Sequence, residues 1–296
     1  MYSWQCQLLS DRSCRFVRRQ TVNSASGIET VNSAFGILKV TLLQTDIQWA
    51  RPSKNILAAQ QLIDDHADSD LYVLPEMWST GFATQPEGVA HEEADNAALL
   101  WMKQTASSRH CALCGSLAIH LPDGSYRNRH YFVDGRTNHL FYYDKHHLFT
   151  YGGEHRFYAP GTDHTIVQYE GFRLLLLTCY DLRFPCWSRY ATGREYDAII
   201  IVANWPESRQ SAWQLLTRAR AIENQCYLVG VNRVGDDEYG HYVGASVVVD
   251  PIGRTLAQCR RNVVQTLTVH LDKAELERRR QKFRVLDDRD EQMSPL

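Results

Sequence analysis

Three reactive side chains share one kind of position. Each follows a short apolar run: Leu71-Tyr-Val-Leu-Pro75 leads into Glu76, Leu140-Phe-Tyr-Tyr-Asp144 into Lys145, and Leu174-Leu-Leu-Leu-Thr178 into Cys179. Two more runs, Ile199-Ile-Ile-Val-Ala203 and Tyr227-Leu-Val-Gly-Val231, end on Asn204-Trp205 and Asn232-Arg233. In open α/β sheets the ligand site lies beyond the carboxyl ends of the strands. Strands arranged that way would bring a carboxylate, an ammonium and a thiol into one cleft. The thiol is the nucleophile of that trio, in its thiolate form. Tyr180-Asp-Leu-Arg-Phe-Pro185 reads as a sharp exit from a strand into a helical turn, whose exposed N–H groups and dipole would favour the thiolate. Taken singly, each residue also has a purely structural reading. A Cys after four leucines packs as core, a strand-end Lys reaches solvent, and a Glu after Pro caps a helix.

Other chemistries find less support. The surroundings of Cys179 lack a papain-type signature, and there is no G-x-S-x-G or G-x-C-x-G elbow. Cys111-Ala-Leu-Cys114 has C-x-x-C spacing, but no second pair completes a zinc motif. On a strand, residues three apart point to opposite faces, so this pair reads as core. His146-His147 read as adjacent strand residues that diverge, so no metal is assigned. The glycine fingerprints of nucleotide-binding loops are absent.

The elements that would carry these residues alternate. Leu38–Gln44 reads as a strand and Pro52–Asp65 as a helix, with Ile56, Leu57, Ala59, Leu62 and Ile63 at helical spacing. A helix is expected over Glu92–Ser107, with Ala97, Leu100, Trp101 and Ala106 along one side. A strand follows at Ala112–His120, then a turn at Pro122-Asp-Gly124 and paired strands at Arg129–Val133 and His139–Tyr143. Phe172–Thr178, Ala198–Ala203, Cys226–Val231 and Ser246–Asp250 read as further strands. Ser211–Gln225 and Lys273–Gln281 read as helices, and Pro251-Ile-Gly253 as a turn into one final strand. Strands alternating with helices and mixed with hairpins argue an α/β layered domain.

Composition limits the partners. Of 296 residues, 44% are hydrophobic and 22% charged, and the formal net charge is -2. That balance is ordinary for a globular chain and argues against a general binder of nucleic acid or membrane surfaces. No apolar run approaches the roughly 18–20 residues that span a bilayer. The eight cysteines are read as free thiols of a reducing, cytoplasmic compartment, since several lie in apolar segments.

Residues 1–37 differ from the rest. They hold four Arg and two acids, a net of +2, which leaves -4 on residues 38–296. Thr21-Val-Asn-Ser-Ala-Ser-Gly-Ile28 is repeated nine residues later as Thr30-Val-Asn-Ser-Ala-Phe-Gly-Ile37. Two copies are too few for a solenoid. An organelle-targeting segment, an added functional element and a poorly ordered extension all remain open readings. Residues 38–296 are expected to be one catalytic domain.

Leu74-Pro-Glu-Met77 with Gly81-Phe82, Tyr143-Asp-Lys-His-His-Leu-Phe149, and Thr178-Cys-Tyr-Asp-Leu-Arg-Phe-Pro185 resemble the three signature segments of the nitrilase (carbon–nitrogen hydrolase) superfamily. Ala203-Asn-Trp-Pro206, Ala219-Arg-Ala-Ile-Glu-Asn-Gln225, Gly230-Val-Asn-Arg233 and Asp250-Pro-Ile-Gly253 extend the likeness, which is greatest to the omega-amidase branch. The resemblance implies a four-layer α-β-β-α sandwich, a homodimer or larger homo-oligomer, and neither metal nor organic cofactor. It implies a triad at Glu76, Lys145 and Cys179, with Glu154 as a second glutamate beside the lysine. It also implies hydrolysis of the terminal amide of a 2-oxo acid such as 2-oxoglutaramate through a cysteine thioester. Trp78, Phe82, Tyr180 and Trp205 are candidates to line the substrate pocket, with the Tyr180 N–H facing the oxyanion. Alternatives are another amidase of the superfamily (acting on deaminated glutathione or N-carbamoyl amines), a non-catalytic scaffold of the same fold, and an unrelated Cys–His hydrolase.

A chain truncated near Leu38 should remain soluble and keep its turnover, by circular dichroism and activity assay. An insoluble or inactive truncate would refute the division at residue 37.

Overall fold

The computed structural model describes residues 36–66 and 68–290. Most of the basic head and its repeat therefore lies outside the described residues. The first half of the chain runs through β1 (Ile37–Gln44), α1 (Pro52–Asp64), β2 (Leu71–Val73), α2 (Ala97–Arg109), β3 (Ala112–His120), β4 (Tyr126–Asp134) and β5 (His139–Asp144). Next come β6 (Ile166–Tyr169), β7 (Phe172–Thr178), β8 (Ala198–Ala203), α3 (Gln210–Glu223) and β9 (Tyr227–Asn232). The chain closes with β10 (Val234–Asp237), β11 (Gly240–Val243), β12 (Val247–Val249), β13 (Thr255–Gln258), β14 (Gln265–Asp272) and α4 (Lys273–Lys282).

These strands form two six-stranded mixed sheets, ordered β14-β1-β2-β3-β4-β5 and β13-β12-β9-β8-β7-β6, with β10-β11 as a separate hairpin. In the first sheet β1, β2 and β3 run parallel. In the second, β7, β8 and β9 do. Parallel strands buried on both faces read as continuous apolar runs. Leu174–Leu177 and Ile199–Val202 are such runs, and all eight residues are buried.

Layering follows from which side chains meet. One core cluster joins Leu42, Val73 and Phe132 of the first sheet to Leu176, Ile200 and Val229 of the second, and extends under α3 to Trp213 and Ala221. A second cluster packs Ile63 of α1 and Leu99, Met102 and Ala106 of α2 onto Leu74, Leu113 and Tyr131. Helices thus cover the outer face of each sheet, and the arrangement is the four-layer α-β-β-α sandwich that the resemblance implies. Cys111 belongs to the outer cluster and Cys114 to the inner one, as opposite faces of a strand require.

Several boundaries differ from the sequence reading. α2 begins at Ala97 rather than Glu92, because the Asn96 side chain caps it by accepting from the Leu99 N–H at 3.0 Å. Its buried stripe is Ala98, Leu99, Met102 and Ala106, whereas Leu100 is exposed. The chain after Pro251 forms two strands, not one, and the β10-β11 hairpin was not anticipated. β14 was missed because only one of its faces is covered, so apolar Leu267, Val269 and Leu271 alternate with polar residues.

Several polar links cross between the sheets, and one of them is a histidine. His130 of β4 is fully buried, with Nδ1 3.0 Å from the Leu177 carbonyl of β7 and Nε2 2.8 Å from Cys114 Sγ. The neutral ring donates to the carbonyl and accepts from the thiol. Burial pushes its pKa down to about 3. A group depressed from 6.5 in this way binds its proton in the unfolded chain first. Stability should therefore fall as pH drops below about 6.5, by up to ~1.4 kcal/mol per pH unit from this residue. Urea unfolding between pH 5 and 7 should give a shallower pH slope for His130→Gln than for the parent. Identical slopes would remove His130 from the acid response.

Candidate active site

Pro75 cannot donate to the sheet, and the chain turns sharply out of β2 at this point. Glu76 follows and is fully buried, while Met77 adopts φ +42° and gives its N–H to Ser116 Oγ at 2.9 Å. Lys145 leaves the end of β5 with its N–H on the Asn128 carbonyl and its own carbonyl accepting from the Gly161 N–H. A Cβ at Gly161 would stand 2.2 Å from the Asp144 carbonyl oxygen, so glycine is required for this close approach. Cys179 begins a five-residue 3₁₀ turn after β7 with φ +43°, a left-handed conformation that strains a non-glycine residue. Buried Asp181 braces the turn. Its carboxylate accepts from the Thr178 N–H, the Tyr143 hydroxyl and the His147 N–H at 2.8–3.0 Å.

The three strand-end residues converge with Glu154. Lys145 Nζ lies 2.9 Å from Glu76 Oε1 and 2.9 Å from Glu154 Oε2, with no solvent exposure on any of the three side chains. Asn128 Nδ2 donates to both carboxylates, at 2.8 Å to Glu76 and 3.0 Å to Glu154. Glu76 Oε2 accepts from the Asn204 N–H at 2.9 Å, and the Phe149 N–H donates to Glu154 Oε2 at 2.6 Å. The Cys179 thiol donates to the Asn204 carbonyl at 3.8 Å and lies within reach of the Glu76 charge.

Charge balance in this buried group sets its protonation. Burial acts to discharge Lys145, but the two carboxylates outweigh it and hold the ammonium protonated. Burial also raises the Glu154 carboxyl, against the pull of Lys145. Burial, then the adjacent Glu76 charge, push the Cys179 thiol well above its usual range. This corrects the expectation of a thiolate stabilised by a helix dipole. One short turn supplies little dipole, and desolvation prevails. The free thiol is S–H and needs a base.

A cavity of about 250 Å³ opens above the sulfur. Phe82, Tyr180 and Trp205 line it, together with Phe149, Tyr239 and Tyr242. Trp78 does not. It is buried in the outer cluster against Trp101, with ring centroids 5.1 Å apart. The left-handed backbone at Met77 separates its direction from that of Glu76, and Gly115 leaves room for its ring. His146 and His147 lie in the turn after β5, not on a strand. The His146 ring stacks on Trp187 at 3.6 Å and that of His147 on Phe184 at 3.7 Å. Among the described residues no cluster of His, Cys, Asp or Glu is arranged to hold a metal ion.

The carbon–nitrogen hydrolase family model matches residues 39–281. The chain belongs to the carbon–nitrogen hydrolase family. It is 40% identical to omega-amidase YafV of Yersinia enterocolitica over 256 residues, covering 86% of this chain and 97% of that one. It is 34% identical to 2-oxoglutaramate amidase of Bacillus subtilis over 221 residues, or 74% and 85% of the two chains. A crystal structure of a CN-hydrolase superfamily protein from Xanthomonas campestris, with an arsenic adduct in its active site, superposes with a TM-score of 0.82. That match has 34% identity and covers 86% and 98% of the two chains. The chain is thus an amidase of the nitrilase superfamily.

Several residues of this carbon–nitrogen hydrolase site escaped the sequence reading. Asn128 lies mid-strand between two arginines, and its only signal was a polar side chain on the inward face of β4. Tyr239 and Tyr242 come from the unforeseen hairpin, which buried Arg233 holds through Asp237 at 2.9 Å and the Ile47 carbonyl at 3.0 Å.

Lys145→Met would leave two buried carboxylates sharing one site. Loss of one partner from a buried ion pair costs about 3–5 kcal/mol. One carboxylate should then retain a proton in the folded state, with a pKa above its unfolded value. The variant's stability should be greatest at low pH and decline as pH rises through that pKa. Denaturant unfolding at pH 5.5 and pH 8 tests this, and a loss that does not grow with pH would contradict it.

Proposed function

We propose that the protein hydrolyses the terminal amide of a small 2-oxo dicarboxylic acid monoamide of the 2-oxoglutaramate type to the carboxylate and ammonia. One observation carries the mechanism: a protonated thiol beside a buried glutamate that shares an ammonium with a second glutamate sits at the floor of a small pocket. Similarity to omega-amidases supports the substrate class.

In this reading Glu76 takes the thiol proton and Cys179 attacks the amide carbonyl carbon. Lys145 and the Tyr180 N–H stabilise the tetrahedral oxyanion. As an early residue of the turn, Tyr180 has no intrahelical acceptor for that N–H. Protonated Glu76 passes its proton to the departing ammonia, leaving a thioester. It then accepts a proton from the water that cleaves the thioester. Glu154 fixes Lys145 from the side opposite Glu76, and Asn128 keeps the two carboxylates apart while satisfying both. The six described cysteines, Cys179 among them, are free thiols, which supports a reducing, cytoplasmic compartment. Exposed Leu215 and Ile222, two turns apart on α3, support assembly into a homodimer or larger homo-oligomer.

Ammonia release should be measured with 2-oxoglutaramate, 2-oxosuccinamate, deaminated glutathione and N-carbamoyl amines. The parent should favour the first. Cys179→Ala and Cys179→Ser should each lose on the order of 10³-fold or more. Glu76→Gln should lose about 10²–10⁴-fold, with no accumulated thioester. Near-parental turnover by either cysteine variant would rule out the covalent route.

A further inference from the structure

Resting on the amidase reading above, we infer that Arg209 holds a carboxylate of the substrate and makes the pocket selective for anionic amides over neutral ones. The cavity wall is mainly aromatic, and no Asp or Glu lines it. Its only charged lining residues are Arg183 and Arg209. Both are half-buried, and neither makes an ion pair or side-chain hydrogen bond among the described residues. Other half-buried or buried arginines nearby are committed. Arg220 holds Glu223 and the Leu182 carbonyl, and Arg233 holds Asp237 and the Ile47 carbonyl.

Arg209 is held in place without using its hydrogen-bonding edge. Its carbonyl accepts from Trp205 Nε1 at 2.7 Å, which ties the backbone to the pocket wall. Its guanidinium lies 5.1 Å from the Phe149 ring centroid and 5.7 Å from that of Tyr151. Stacking of this kind occupies the face of the guanidinium and leaves its N–H fork free for a bidentate carboxylate. Glu207, two residues earlier, is exposed and forms no ion pair with it. An unpaired cation on an apolar wall is a costly arrangement unless a ligand anion completes it. The same pocket holds Cys179 at its floor, so the carboxylate bound by Arg209 and the scissile amide belong to one short molecule.

Three substrates separate the contributions. 2-Oxoglutaramate carries the 2-oxo group and the carboxylate, glutaramate keeps only the carboxylate, and 4-oxopentanamide keeps only the ketone. kcat and KM for each should be measured with the full-length parent, Arg209→Met and Arg209→Lys. In Arg209→Met the ratio of kcat/KM for 2-oxoglutaramate to that for 4-oxopentanamide should fall at least tenfold, mainly through KM for the anion. Arg209→Lys should fall between the two, since a point charge replaces the fork. An unchanged ratio overturns the inference, whether both substrates lose equally or neither does. So does a parent that shows no preference for the anionic amides. If the parent neglects 2-oxoglutaramate but favours glutaramate over 4-oxopentanamide, and Arg209→Met abolishes that preference, the arginine assignment stands and the 2-oxo substrate reading falls. Should Arg209→Met fail to fold by circular dichroism, the ratio measured for Arg209→Lys decides.

Discussion

A single ammonium buried between two carboxylates is the constraint on which the rest of the structure turns. Lys145, Glu76 and Glu154 have no contact with water, and burial of any one alone would be prohibitive. Together they are tolerable only because every carboxylate oxygen has a donor. Asn128 bridges the two acids, the Asn204 and Phe149 N–H groups take the outer oxygens, and Ser116 orients Asn128 by donating to its Oδ1 at 2.8 Å. The surrounding backbone is shaped to deliver these donors. Left-handed residues at Met77 and Cys179 are the conformational cost of bringing strand ends to one point.

The same cluster gives the thiol its character. Because desolvation and the neighbouring glutamate hold Cys179 protonated, reactivity depends on proton transfer within the site rather than on a standing thiolate. The aromatic wall adds to this by lowering the local dielectric, which strengthens every charge interaction inside.

Much of this was legible in the chain because parallel strands advertise themselves. Apolar runs ending on Glu76 and Cys179 marked the parallel strands and the place where the sheets open, and the run ending on Lys145 marked the antiparallel edge strand β5. What escaped notice was set by tertiary geometry. Trp78 was grouped with the pocket because it neighbours Glu76, yet the φ +42° residue between them sends it into the core behind the sheet. Asn128 was hidden because a polar residue inside a strand looks like a solvent-facing one until the opposing sheet is known. The helix-dipole expectation for Cys179 failed because a sequence gives the turn but not its depth. β14 was overlooked because half its residues are polar, although its register with β1 runs unbroken from Ile37↔Asp272 to Gln44↔Gln265.

That last pairing bears on how the enzyme comes into being. β1 is among the first described segments to be synthesised, and its antiparallel partner β14 among the last. Glu76, Asn128 and Lys145 come from the first sheet, whereas Cys179 and Asn204 extend from the second. A nascent chain can carry the nucleophile and the base long before its sheets close on each other. Joining the two ends of so long a loop is entropically slow. The sheet that carries Glu76, Asn128 and Lys145 is therefore completed only when the last strand pairs with β1. A ribosome-bound or C-terminally clipped chain would hold the catalytic side chains without the edge strand of the sheet that carries three of them.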